Sequence, residues 1–157
     1  GRGHNLSART IFTGFGIANA MALGADWCNT ARGFMFALGC IQAQRCHTNQ
    51  CPVGITTQDP RLQRALVVDD KAARVHNFHR NTVAALADVI AAAGLEHPRE
   101  LKPDRIWERI GPTESHSWKK LYAYVEPGQL LDGSLTSLPE WLAEGWRRAD
   151  PRSFRSA

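Results

Sequence analysis

Apolar positions along the chain group into helical and strand-like stretches separated by glycine and proline. Residues 1–10 hold two glycines, a serine and several polar groups, and read as a loop. From Thr13 onward Phe15, Ile17, Ala18, Met21, Ala22 and Leu23 give a largely apolar helix, with Thr13 as its N-cap and Gly24 as its stop. Ala25 to Asn29 is a short apolar run suited to a buried parallel strand. A second helical run, Phe34 to Leu38, follows Thr30-Ala31-Arg32-Gly33. Asp59 and Pro60 are the N-cap and first position of a short helix running over Arg61 to Leu66. The longest helix starts at Asp69-Asp70-Lys71, places Val75, Phe78, Val83, Leu86, Val89 and Ile90 near helical spacing, and ends at Gly94. His97 to Leu101 is a capped turn leading to a short helix over Pro103–Ile110, with Gly111-Pro112 as a breaker. From residue 113 the pattern turns irregular, aromatics alternating with Pro-Gly and Asp-Gly turns, and the residues from Asp150 onward read as frayed.

Helix, glycine, short strand is the rhythm of an α/β barrel. With 157 residues the chain is too short for a whole (β/α)₈ barrel, which takes about 250. The expectation is an α/β fold: the C-terminal part of a TIM barrel with its last helix–strand units, a cysteine loop, and a helical, loop-rich tail. Three sections follow, 1–54, 55–112 and 113–157.

Charge changes this picture little. The net charge is +4, but the 19 basic residues are interleaved with 15 acids and form no stripe that argues for nucleic acid. No stretch of about 18 apolar residues suggests a membrane span, and the first residues lack a signal-peptide pattern. A reducing, cytoplasmic compartment is the expectation. His76 and His79 share a helix turn, but with no third ligand nearby they read as solvated or packed side chains. Trp107, Trp118, Tyr122, Tyr124, Trp141 and Trp146 are the side chains expected to pin the tail by packing, and base stacking is the lesser reading.

The candidate chemistry is concentrated in Cys40-Ile-Gln-Ala-Gln-Arg-Cys46-His-Thr-Asn-Gln-Cys51-Pro-Val-Gly54. Three thiols within twelve residues point to a metal. Structural zinc sites are mostly built from paired hooks, and no second hook follows here. Iron–sulfur clusters take thiolates from one irregular loop, often closed by Cys-Pro. Pro52 turns the chain away, Gly54 opens backbone angles closed to other residues, and Thr48 and Asn49 favour turns whose N–H groups can face sulfur. Three alternatives stay open: buried unliganded thiols, a zinc site with His47 as fourth ligand, and a disulfide scaffold. Cys28 reads as a structural thiol or a fourth ligand.

The run from Gly24 to Gly54, with Thr57-Gln-Asp-Pro60 after it, resembles the FMN-binding synthase domain of the glutamate synthase family. It is closest in kind to stand-alone proteins without an amidotransferase domain. A weaker likeness continues to Tyr124-Val-Glu-Pro-Gly128. The resemblance implies that Cys40, Cys46 and Cys51 ligate a 3Fe-4S cluster, and that the FMN phosphate lies at the helix start formed by Ala31, Arg32 and Gly33. The implied reaction reduces 2-iminoglutarate, formed from 2-oxoglutarate and ammonia, to L-glutamate by hydride from FMN. Electrons come from a donor protein or reductase subunit through the cluster. Residues that bind the 2-oxoglutarate carboxylates lie upstream in the family, so no catalytic residue is assigned here. The chain departs from the family pattern at Ser7-Ala8-Arg9, where relatives carry Ser-Gly-Lys or Ser-Gly-Gly, and at Gly16, where an acid is expected. Standing alone, the chain is therefore expected to bind FMN weakly or not at all and to be inactive. The competing readings are a truncated remnant and a small iron–sulfur or zinc module serving a partner.

Overall fold

A computed structural model describes residues 5–8 and 11–153. Expectations that involve Arg9, the first four residues or the last four lie outside the described residues. The chain divides into two compact units, Gly1–Arg105 and Ile106–Ala157.

The first unit is built on one strand–helix–strand element. Strand β1 (Leu6–Ala8) pairs in parallel with β2 (Trp27–Asn29), in the register Leu6 with Trp27, Ser7 with Cys28 and Ala8 with Asn29. A parallel pair cannot be joined by a tight turn, and α1 (Gly14–Ala22) makes the crossover. The reading of residues 1–10 as loop is thus corrected at Leu6–Ala8: three residues are too few to show a period of two, and partner pairing defines the strand. Thr13 caps α1 as expected, its Oγ1 accepting from the Gly16 N–H at 3.1 Å. β2 is shorter than the run that predicted it, and it is not buried. Trp27 is 50% exposed. Parallel strands normally have both faces covered, and this one leaves half of an apolar side chain open to solvent.

The next helix, α2 (Arg32–Leu38), leads into the cysteine loop, after which α3 (Pro60–Gln63) opens at Asp59, whose carboxylate accepts from the Arg61 N–H at 2.8 Å. The longest element, α4 (Val68–Ala92), packs against α1 and α2. Gly14 permits the α1–α4 contact, because a Cβ there would stand 2.3 Å from the Leu86 nitrogen. The core around it is thin, made of Ile11, Ala18, Ala22, Ile90 and Leu101. His76 and His79 are both exposed, and His79 stacks on Phe34 with ring centroids 6.2 Å apart. His97 caps a 3₁₀ turn over Pro98–Glu100, its Nδ1 accepting from the Arg99 N–H at 3.0 Å.

The short helix expected over Pro103–Ile110 is not formed. Pro103–Arg105 is a single 3₁₀ turn, and β3 (Trp107–Arg109) pairs antiparallel with β4 (Ser115–Ser117). Gly111-Pro112 turns this hairpin. Its strands are held from one side by Glu108, whose Oε2 accepts from Trp118 Nε1 at 2.8 Å and from the Tyr122 hydroxyl at 3.3 Å. After residue 113 the expected irregular stretch is limited to residues 122–139, between α5 (Trp118–Leu121), which follows β4, and the amphipathic α6 (Glu140–Arg148). Leu138, just ahead of α6, and Ala143 within it are buried. The residues read as frayed from Asp150 include a bridge between Asp150 and Ser153. Among the described residues no helix is long and apolar enough to cross a membrane.

Candidate functional site

The cysteine loop leaves α2 through a tight reversal. Gly39 adopts φ 105°, the Gly39 N–H reaches the Phe36 carbonyl at 2.9 Å, and the Cys40 N–H reaches the Met35 carbonyl at 3.0 Å. This pair of bonds is the glycine-dependent helix ending in which the left-handed residue satisfies the last carbonyls. It fixes Cys40, half-buried, as the first residue beyond the helix. Residues 41–50, including Cys46, are exposed throughout. Gln42, Gln44 and Asn49 have φ near +60°. For glutamine this region is uncommon and costs about 1 kcal/mol or more per residue.

The far end of the loop is anchored. Thr57, buried, donates from its hydroxyl to the Asn49 carbonyl at 2.7 Å and accepts from the Asp59 N–H at 3.0 Å, while Gln63 Nε2 donates to the Thr57 carbonyl at 2.8 Å. Gly54, at φ 80°, closes a turn on the Cys51 carbonyl at 3.1 Å. A Cβ at Gly54 would stand 2.3 Å from the Leu62 carbonyl oxygen. The Cys51-Pro-Val-Gly turn is therefore pressed onto α3 in a way only glycine allows.

Cys51 is buried at 8% exposure, yet its thiol is lowered from 9.0 to about 7. The main cause is the Thr56 backbone N–H directed at the sulfur, with those of Val53 and Ile55 adding to it, against the opposing effect of burial. The Thr56 hydroxyl, buried with no hydrogen bond of ordinary geometry, lies by the same sulfur and adds to the shift. This ring of N–H donors favours thiolate, the form that binds metals. Sequence reasoning anticipated amide groups at sulfur but did not identify Thr56 or Thr57, whose roles depend on contacts across the turn. Cys28, on β2, is half-buried, and burial raises its thiol.

Among the described residues no three His, Cys, Asp or Glu side chains converge to hold a metal ion. All four cysteines are free thiols in this structure, and no disulfide scaffold is formed. A three-iron cluster spreads its thiolates over several irons, so its sulfurs stand farther apart than those round one ion. On donor chemistry the loop fits such a group: three thiols on irregular backbone, one of them already disposed to lose its proton.

At the start of α2, Ala31 and Arg32 are exposed and Gly33 is buried. A Cβ at Gly33 would lie 2.8 Å from the Phe78 ring and 2.9 Å from Thr30 Oγ1, which gives the glycine a packing reason. Thr30 in turn donates to the Ile11 carbonyl, tying the loop after β2 to the segment after β1.

Comparison with known proteins bears on this loop directly. The family described as "Conserved region in glutamate synthase" matches residues 6–96, a span that holds β1 to α4 and all four cysteines. The chain belongs to the glutamate synthase family. It is 48% identical over 90 residues to the glutamate synthase large subunit-like protein YerD of Bacillus subtilis, a match covering 57% of this chain and 17% of that protein. It is 37% identical over 91 residues to the NADH glutamate synthase of Schizosaccharomyces pombe, covering 58% of this chain and 4% of that one. The archaeal NADPH glutamate synthase of Methanocaldococcus jannaschii is 35% identical over 89 residues, covering 57% and 18%. The chain thus spans a small part of the length of these relatives. No solved structure matches it at comparable significance. The glutamate synthase region ends before the hairpin and α6, so Ile106–Ala157 lies outside it.

Proposed function

We infer that this chain is the cluster-bearing section of a glutamate-synthase-type oxidoreductase, which forms L-glutamate from 2-oxoglutarate and ammonia. The observation that carries this reading is the loop itself. It lies within the family region, and it holds Cys51 as an incipient thiolate among backbone N–H groups. Cys40, Cys46 and Cys51 would hold a 3Fe-4S cluster, which when bound supplies one-electron transfer and works with FMN, the source of hydride. The residues in hand have defined duties. The Gly39 reversal sets the direction in which Cys40 leaves α2, and Thr57 with Asn49 keeps the loop from unravelling. The N–H groups of Val53, Ile55 and Thr56 stabilise negative charge on the Cys51 sulfur. Left-handed glutamines are the kind of local strain that persists where a segment is held for a purpose. Ala31, Arg32 and Gly33 would lie nearest the FMN phosphate, at the N–H groups that open α2.

The test is anaerobic purification with flavin, iron and acid-labile sulfide measured together. Iron and sulfide in the ratio of a three-iron cluster support the reading, and flavin beside them supports the full synthase chemistry. Stoichiometric zinc without sulfide would overturn it.

A further inference from the structure

Beside α2, on the side facing α4, lies an open groove of about 490 Å³ that the cysteine loop does not use. Its walls are aromatic. Phe12 and Phe36 stack with ring centroids 5.6 Å apart, Phe78 adds a third ring from α4, and Gly33 contributes bare backbone. The volume suits a small organic molecule. Two polar side chains, Arg74 and Asn77, enter it from adjacent positions on α4. Neither side chain has a hydrogen-bond or ion-pair partner among the described residues.

Arg74 links the groove to a positively charged spot beside it, at Gly39, which together with Lys71 lies outside its walls. Lys71 Nζ and Arg74 Nη1 each lie 3.8 Å from the point where Gly39 would carry a Cβ. Two cationic nitrogens therefore converge on a space that exists because residue 39 has no side chain. The carboxylate beside them is Asp70, 3.2 Å from Lys71, which leaves one net positive charge next to the groove. Aromatic walls and a single surplus cation are complementary to a flat apolar ring carrying one negative group.

We propose that the groove between α2 and α4 binds a small planar aromatic carboxylate, its ring against Phe12, Phe36 and Phe78 and its carboxylate between Lys71 and Arg74 above Gly39. This site is independent of the cluster assignment. It is tested by calorimetric titration of the full chain with 2-naphthoate and with the neutral 2-naphthamide. Naphthoate binds saturably, and the amide binds about tenfold more weakly or worse, the usual effect of losing one charge-assisted bond. Lys71→Gln and Arg74→Gln each weaken naphthoate by about tenfold and leave the amide unchanged. Arg80→Gln, on the same helix outside the groove, changes neither. No saturable naphthoate binding, equal affinity for acid and amide in the unaltered chain, or full naphthoate affinity in Arg74→Gln overturns the proposal.

Discussion

Cys51 is the residue on which the site's electrostatics turn. Its thiol is lowered from 9.0 to about 7, so the folded chain holds that proton less tightly than the unfolded chain. The associated stability is fully present above about pH 9 and is lost as pH falls through 7. In metal-free protein carrying Cys28→Ser, Cys40→Ser and Cys46→Ser, thiolate absorbance should titrate near pH 7. A midpoint near 9 would show that the N–H groups do not reach the sulfur. A second shift lies in the hairpin, where the negative charge of Glu108 raises Tyr122, assisted by burial and their hydrogen bond. Glu108→Gln should bring the Tyr122 phenol down towards its ordinary value, read as an earlier rise of tyrosinate absorbance with pH. An unchanged curve contradicts that cause. That Cys40, Cys46 and Cys51 share one non-helical loop was legible in the sequence, because Gly39 and Pro52 bound it locally. Thr56 and Thr57 were not, since two threonines in a turn look alike until the groups across it are known.

Among the elements, α1 shows what two neighbouring glycines do. Gly14 is pressed on the α4 backbone, whereas a Cβ at Gly16 meets only Thr13 Oγ1 at 3.5 Å and Ile11 Cγ2 at 3.7 Å. Gly14→Ala should destabilise by about 2 kcal/mol or more, as overpacking does. Gly16→Ala should stabilise by about 0.5–1 kcal/mol, the usual gain on replacing a helical glycine. Chemical denaturation midpoints that move in the same direction for both variants would contradict this packing. Capped helices were readable in advance, because Thr13, Asp59 and His97 declare their ends locally. So was β2, inside the apolar run Ala25 to Asn29, but β1, β3 and β4 were not. Each of these three depends on a partner at least several residues away, and Trp107-Glu108-Arg109 has no alternation that distinguishes strand from helix. For the same reason α6 was overlooked behind its turn-rich approach, although Leu142, Ala143 and Trp146 recur at helical spacing.

At the scale of the whole molecule, family membership covers β1 to α4, and the apolar side chains of Leu6 on β1 and Trp27 on β2 are each 50% exposed. A two-stranded parallel pair with exposed apolar residues fits a section of a larger α/β domain. The chain should therefore quench FMN fluorescence weakly and without stoichiometry; a tight one-to-one complex would contradict that expectation. Because the family region ends at residue 96, a chain ending at Arg105 should keep whatever iron the full chain holds. Loss of iron on removing Ile106–Ala157 would assign the hairpin and α6 a part in the site. The central claim is that Cys40, Cys46 and Cys51 share one iron–sulfur cluster. The most direct measurement is low-temperature EPR with iron and sulfide analysis on anaerobically reconstituted protein and its four single cysteine-to-serine variants. The account predicts a three-iron signal that Cys28→Ser preserves and that each of the other three substitutions abolishes. An undiminished signal in Cys51→Ser, or its disappearance in Cys28→Ser alone, would contradict it.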